Sequence, residues 1–269
     1  MSQATPLIRA AKYVTRIAAL LSLAAPVAVN AYTVNSYLDG DQTLYLKWGD
    51  NHAGTLGSTV YWSFIPPGTS GSAYCTDACP GTSGSSITVE LSPGNYEALA
   101  VTALEPDITA MMALWSAATG VDFVKLDSDS GVAINDAAAV PPATGQIRIG
   151  VFAFNPIANG SAAVGYSPPP NGGTGSGDIL FNSNAYYQFA PGNQGDAYQT
   201  TFAPNDIDGL ILHELGHAIG LEHPVHVDGQ CPIMDVADAC FGFVNRELGA
   251  DDRAGAMFLY DTLFASGFE

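Results

Sequence analysis

Residues His213 to His223 read HELGHAIGLEH, and this string decides the fold. Side chains four apart on a helix share one face, so His213 and His217 can turn two imidazoles toward one metal ion. Glu214 sits one position round and can reach a water on that metal. Gly220 is where the helix must stop, because glycine alone enters the left-handed conformation cheaply. The chain then turns back and His223 arrives as a third ligand. Three neutral nitrogens leave a fourth position open, which is the arrangement of a catalytic zinc. A structural zinc would want four protein ligands, usually with cysteine, and the cysteines lie outside the string. Zinc would lower the pKa of bound water to about 7 and polarise a carbonyl, with Glu214 as general base. The competing reading is a helix with surface histidines, and HExxH alone is a weak signal. Three of the chain's five histidines fall inside this string, with Glu214 and Gly220 in register, and that is a strong one.

Working outward, Asn205 or Asp206 is the expected cap of the helix through Leu212 to Ile219. CPIMDV places Met234 eleven residues after His223. A further helix begins near Gly249, with Asp251 and Asp252 at its positive end and Ala254, Met257 and Phe258 as its buried face. Upstream, Pro106-Asp107 opens a helix whose stripe is Ile108, Met111, Met112 and Trp115, and Gly120 ends it. TVYWSFI (59–65), VDFVKL (121–126), QIRIGVF (146–152) and DILF (178–181) read as strands, with ITVEL and YEALAV as weaker ones. Residues 32–43 are polar and unpatterned. Residues 66–86 and 158–177 are rich in Pro, Gly and Ser and read as loops. No internal repeat or interdomain linker is evident.

The chain has 269 residues, 47% hydrophobic and 13% charged, which suits a folded domain and argues against disorder. Arg9, Lys12 and Arg16 precede an apolar run from Ile17 to Val29, and Val29-Asn30-Ala31 offers small residues for a signal peptidase. Residues 1–31 are therefore the expected signal peptide, with cleavage near Ala31. A retained membrane anchor is the alternative, disfavoured because the run is too short to span comfortably. Export leaves five basic residues against 26 acidic ones, which excludes nucleic acid as a partner. The four cysteines fall in two local pairs, Cys75/Cys79 and Cys231/Cys240. An oxidising destination favours disulfides over a role as zinc ligands.

HExxHxxGxxH followed by a methionine resembles the signature of the metzincin zinc metalloproteases, with Met234 as their Met-turn. Within that group the chain is most similar to the matrixin-like branch in bacterial form. TVYWSF resembles its first strand, AMMALWSAATGVDFVKL its first helix and second strand, QIRIGVF its third strand, and LGADDRAGAMFLY its C-terminal helix. The resemblance covers most of residues 44–262 and implies an α+β catalytic domain. Its sheet would be twisted and mostly parallel, with an antiparallel edge strand near 161–167, an active-site helix, and a C-terminal helix under the Met-turn. Residues 32–43 would be a short N-terminal, candidate pro-segment. Residues 44–269 would be the catalytic domain, with an insertion at about 66–105.

It further implies a secreted, monomeric zinc endopeptidase that binds extended polypeptide along the edge strand, with a pocket wall at about 235–243 stiffened by Cys231 and Cys240. The departures are specific. Gly165 and Leu180 stand where the family has structural-zinc histidines, so no structural zinc is expected. Asp178 matches a calcium-binding aspartate, but Asn182 stands where another acid is usual. No cysteine-switch prodomain is present, and Asp39 or Asp41 are the candidates for capping the metal. His52 and His226 read as surface residues. The reading from a different class is a catalytically silent zinc-binding surface or adhesion protein, against which the presence of Glu214 argues.

Overall fold

Ile147–Phe152 is buried at every position, as a strand with partners on both sides and cover on both faces must be. The structure, a computed structural model, describes residues 32–260 apart from 72–76, 135, 137–140, 142, 157, 159, 171–174 and 202. The leader at 1–31 and Cys75 therefore lie outside the described residues. In chain order the strands are β1 (Thr33–Val34), β2 (Ser36–Asp39), β3 (Gln42–Tyr45), β4 (Thr59–Phe64), β5 (Ser86–Ser92), β6 (Asn95–Ala100), β7 (Asp122–Lys125), β8 (Ile147–Phe152), β9 (Ala163–Gly165), β10 (Ile179–Asn182), β11 (Tyr186–Gln188), β12 (Asn205–Asp206) and β13 (Leu221–Glu222). The helices are α1 (Glu105–Thr119), α2 (Ile207–Ala218) and α3 (Ala250–Leu259).

The fold is α+β. Its main sheet runs β7-β4-β8-β10-β9, with the first four strands parallel and β9 antiparallel to β10 at the edge. Alternate residues of the central strands face two separate apolar clusters. Ile147, Ile149, Val151, Ile179 and Phe181 join Trp115, Leu212 and Leu215 from the helices. Phe152 and Leu180 join Ile65, Ile134 and Phe154 on the other side. That period of two follows from the pleat.

Buried aromatic side chains tie α1 and two flanking segments to α2. Trp115 of α1 donates its indole N–H to Leu212 O of α2 at 2.9 Å. Trp48 donates its own to Ala218 O at 2.7 Å, and the Tyr260 hydroxyl donates to Ile219 O at 2.8 Å. The last carbonyls of a helix have no partner within it, so side chains from two distant segments complete the C-terminal end of α2. Among the described residues no helix is long and apolar enough to cross a membrane.

Two regions differ from the sequence reading, and two others extend it. The polar segment 32–43 is ordered as β1 and the β2/β3 hairpin, and β1 pairs antiparallel with β13 beside the third histidine. ITVEL and YEALAV, read as weaker strands within the expected insertion, are strands β5 and β6, and they belong to a second sheet ordered β12-β11-β5-β6. Cys79 lies in the Pro, Gly and Ser loop as read, and is buried there with Ala78 in the smaller apolar cluster, against the side of the main sheet that carries Phe152 and Leu180. The buried face of α3 is Asp252, Gly255, Ala256 and Leu259, while Met257 is exposed and Phe258 only half-buried. The Asp252 carboxylate sets that phase, because it must face inward to bond the chain at Ile233 and Met234.

Gly220 turns the chain after α2 at φ +107°, and a Cβ there would lie 2.1 Å from Leu46 O. Gly220→Ala is expected to lower the denaturant midpoint by at least the equivalent of about 2 kcal/mol at unchanged m-value, since both strain and a backbone clash are introduced.

Candidate metal centre and cleft

Helix α2 begins at Asp206, whose carboxylate caps the Gly209 N–H at 3.3 Å. The same group is held by Arg246 through Nε at 2.8 Å and Nη2 at 2.5 Å, fixing the helix start to the segment that leads into α3. Four-residue spacing then puts His213 and His217 on one face. Beyond the turn at Gly220, β13 carries the chain back so that His223 closes the group. Its Nε2 lies 3.1 Å from that of His213 and 3.0 Å from that of His217.

Tautomers follow from the second nitrogen of each α2 ring. His213 Nδ1 donates to Ile233 O at 2.8 Å, and His217 Nδ1 donates to Leu221 O at 2.9 Å. A carbonyl can only accept, so both protons sit on Nδ1 and both Nε2 lone pairs face the centre of the triad. Burial pushes His213 down to about 4 and lowers His217 as well, which keeps both rings in the neutral, ligating form. Lone pairs converging this closely repel one another unless a cation lies between them. His213, His217 and His223 could hold a metal ion, and the donor set fits one.

Glu214 is 5% exposed. Burial pushes its carboxyl up to about 7, opposed by His217 and by a hydrogen bond from the Gly165 N–H. Gly165 explains its own identity, because a Cβ there would lie 2.4 Å from Glu214 O and 3.0 Å from Glu214 Oε2. The triad and Glu214 open into a cleft of about 450 Å³. Ser161 to Gly165, including β9, form one side; Asp235, Val236, Phe241 and Phe243 form the other.

A disulfide between Cys231 and Cys240, with Cα atoms 5.4 Å apart, closes the segment behind that second side. The other expected pair, Cys75/Cys79, is not seen as a bridge, because Cys75 lies outside the described residues. Cys79 itself is disulfide-bonded, does not line the cleft and belongs to no cluster of metal-ligating side chains among the described residues. No described cysteine is free.

Met234 is buried under α2, and Gly216 makes room for it: a Cβ on Gly216 would fall 2.2 Å from Met234 Sδ. The turn is pinned by Asp252, which accepts the N–H groups of Ile233 at 2.8 Å, Met234 at 3.2 Å and Gly249 at 2.7 Å. The carbonyl of that same Ile233 orients His213, so α3 reaches the triad through two hydrogen bonds in series.

Other expected site residues fall elsewhere. Asp178 is fully buried, with Oδ1 accepting the Arg148 N–H at 2.8 Å, and burial raises its pKa well above the usual carboxylate range. It belongs to no cluster of three metal-ligating side chains among the described residues. Asn182 clasps the main chain, accepting from Asn184 N and donating to Ser161 O. Leu180 is fully buried in the smaller apolar cluster. Asp39 and Asp41 are exposed on the β2/β3 hairpin and do not line the cleft. His52 is exposed beside Asp50. His226, in contrast, is a fixed part of the wall: Nδ1 bonds Asp235 Oδ2 at 2.6 Å, and Asp235 lines the cleft. Nothing in its sequence position signals that pairing, just as nothing in ADDRAG separates Asp252 from an ordinary helix-terminal charge.

No family model matches the chain, and no curated protein matches it.

His217→Ala is expected to abolish retention of a divalent ion through dialysis while leaving the far-UV circular dichroism unchanged. Asp252→Ala is expected to weaken metal affinity by about 10- to 100-fold, as loss of an outer partner does, and to lower the melting temperature. Metal titration by calorimetry checks both.

Proposed function

We propose that this protein is a zinc-dependent endopeptidase of the metzincin type, matrixin-like in build, exported and acting on extended polypeptide. The observation that carries the reading is the convergence of His213 and His217 Nε2 on that of His223, at 3.1 and 3.0 Å, beside a buried glutamate in a cleft bordered by an antiparallel edge strand. Met234 beneath α2 and the mostly parallel sheet support the same family. The disulfide suits an oxidising destination.

His213, His217 and His223 would hold the zinc. When bound, the ion supplies Lewis acidity, polarising the scissile carbonyl and acidifying water. The chain's own groups do the rest. Glu214 takes the proton of the attacking water and returns it to the leaving amine, its carboxylate aimed by the Gly165 N–H. The backbone of Ala163 and Val164 offers a sheet edge on which a substrate strand lies antiparallel, so recognition rests on main-chain hydrogen bonds and favours unfolded chains. Tyr187, whose hydroxyl bonds Ala162 O and Asn182 O, holds the start of that edge in place. Across the cleft, Val236, Phe241 and Phe243 present apolar surface to the residues beyond the cleaved bond.

The test is zinc content and casein cleavage by the purified chain and by Glu214→Gln. Both proteins are expected to carry about one zinc, and the substitution to lower kcat/KM by about 100- to 10,000-fold. Zinc with no cleavage in the parent would favour the silent adhesion reading. Undiminished cleavage in Glu214→Gln would remove the mechanism.

A further inference from the structure

A second group of metal-ligating side chains is built into the cleft wall and the segment just behind it. His226, Asp235 and Cys240 each place a ligand atom within 4.8 Å of the other two. Cys231 Sγ is bonded to Cys240 Sγ, so a fourth donor stands beside the three. Asp235 is almost fully buried, with a side chain 4% exposed, and His226 is 27% exposed, so the group is enclosed on one side and reachable on the other. Cys231 is exposed, so a reductant can reach the sulfur pair. These four residues come from the two turns of chain between His223 and β-bridge residue Phe243, and none of them belongs to the triad.

We propose that the Cys231–Cys240 disulfide masks a second metal site, and that its reduction creates a centre of two thiolates, one imidazole and one carboxylate for zinc or another thiophilic divalent ion. While the sulfurs are bonded to each other they are neutral and donate poorly, and His226 spends its Nδ1 proton on Asp235. Reduction supplies two electrons to the S–S bond and yields two thiols. With a trialkylphosphine as reductant, one water gives its oxygen to phosphorus and its two hydrogens to the sulfurs. Coordination then releases both thiol protons, as binding to cysteine requires. Bond lengths of about 2.0–2.3 Å at tetrahedral zinc imply donor separations of about 3.3–3.8 Å, so the donors of His226, Asp235 and Cys240, all within 4.8 Å of one another, need side-chain shifts of only about 1 Å. The four donors form a closed set, unlike the open triad. Because Asp235 and Cys240 both line the cleft, the ion would brace the same wall that the disulfide braces, and oxidation would expel it.

Cobalt(II) separates the two sites by spectroscopy, because only a sulfur-containing centre gives thiolate-to-metal charge transfer in the near ultraviolet. The full chain is loaded with cobalt before and after phosphine reduction, beside Cys231→Ser/Cys240→Ser and His226→Ala. The oxidised chain is expected to hold about one cobalt without charge transfer, and the reduced chain about two with it. Reduced Cys231→Ser/Cys240→Ser should stay at one without the band, and reduced His226→Ala should lose tight binding of the second ion. His213→Ala removes the first ion and leaves the second, so failure of the triad and failure of this site read differently. The d–d bands of the triad serve as the check that each reduced protein with an intact triad remains folded, and far-UV circular dichroism serves for His213→Ala. A reduced parent that stays at one cobalt overturns the proposal, as does a charge-transfer band that survives in Cys231→Ser/Cys240→Ser.

Discussion

The hydrogen bond from His213 Nδ1 to Ile233 O is the contact on which the rest of the site depends. It sets the tautomer of the first imidazole, and it does so from a turn that has no regular secondary structure of its own. A turn in that position holds its shape only if its N–H groups are satisfied, and Asp252 satisfies two of them. The carboxylate is buried, which raises its pKa, yet three N–H donors offset the loss of water around it. The triad is thus bolted to α3, not merely presented by α2.

The same logic repeats on the other side. His217 is oriented by Leu221 O, and Leu221 is held by pairing of β13 with β1. Asn35, next in chain after β1, donates to both Glu222 and Ser167, joining that pair to the segment that follows the edge strand. The short N-terminal segment is therefore part of the frame that positions the second ligand. Its polar composition conceals this, because a two-residue strand has no periodicity to read. Both ligands on α2 are oriented by backbone carbonyls, and each carbonyl is fixed by a segment distant in sequence.

The elements that are legible share one property: their signal is local. Of the stripe Ile108, Met111, Met112 and Trp115, all but the half-buried Met111 are buried in α1, and Gly120 ends the helix in a left-handed conformation. TVYWSF and IRIGVF are strands of the main sheet. Where the buried face of α3 departs from its apolar pattern, the cause is not local: Asp252 has to point inward, and apolar residues alone give no sign of it. His226 reads as a surface residue for the same reason, since its partner Asp235 is brought to it only by the turn between them. The loop composition around Cys79 likewise hides its burial, because the apolar residues that cover it come from β8, β10 and the segments beyond them.

The sequence by itself determined the donor set. Three histidines and one glutamate at fixed spacings on a helix and its return turn must converge, because helix geometry leaves them little choice. It also determined that Gly220 would turn the chain and that Cys231 and Cys240 could pair across a short loop. Only the tertiary structure decided which nitrogens face the centre of the triad, how deep Glu214 is buried, and why position 165 admits no side chain. Those properties belong to contacts between segments far apart in the chain, and spacing along the chain carries no record of them until the chain has folded.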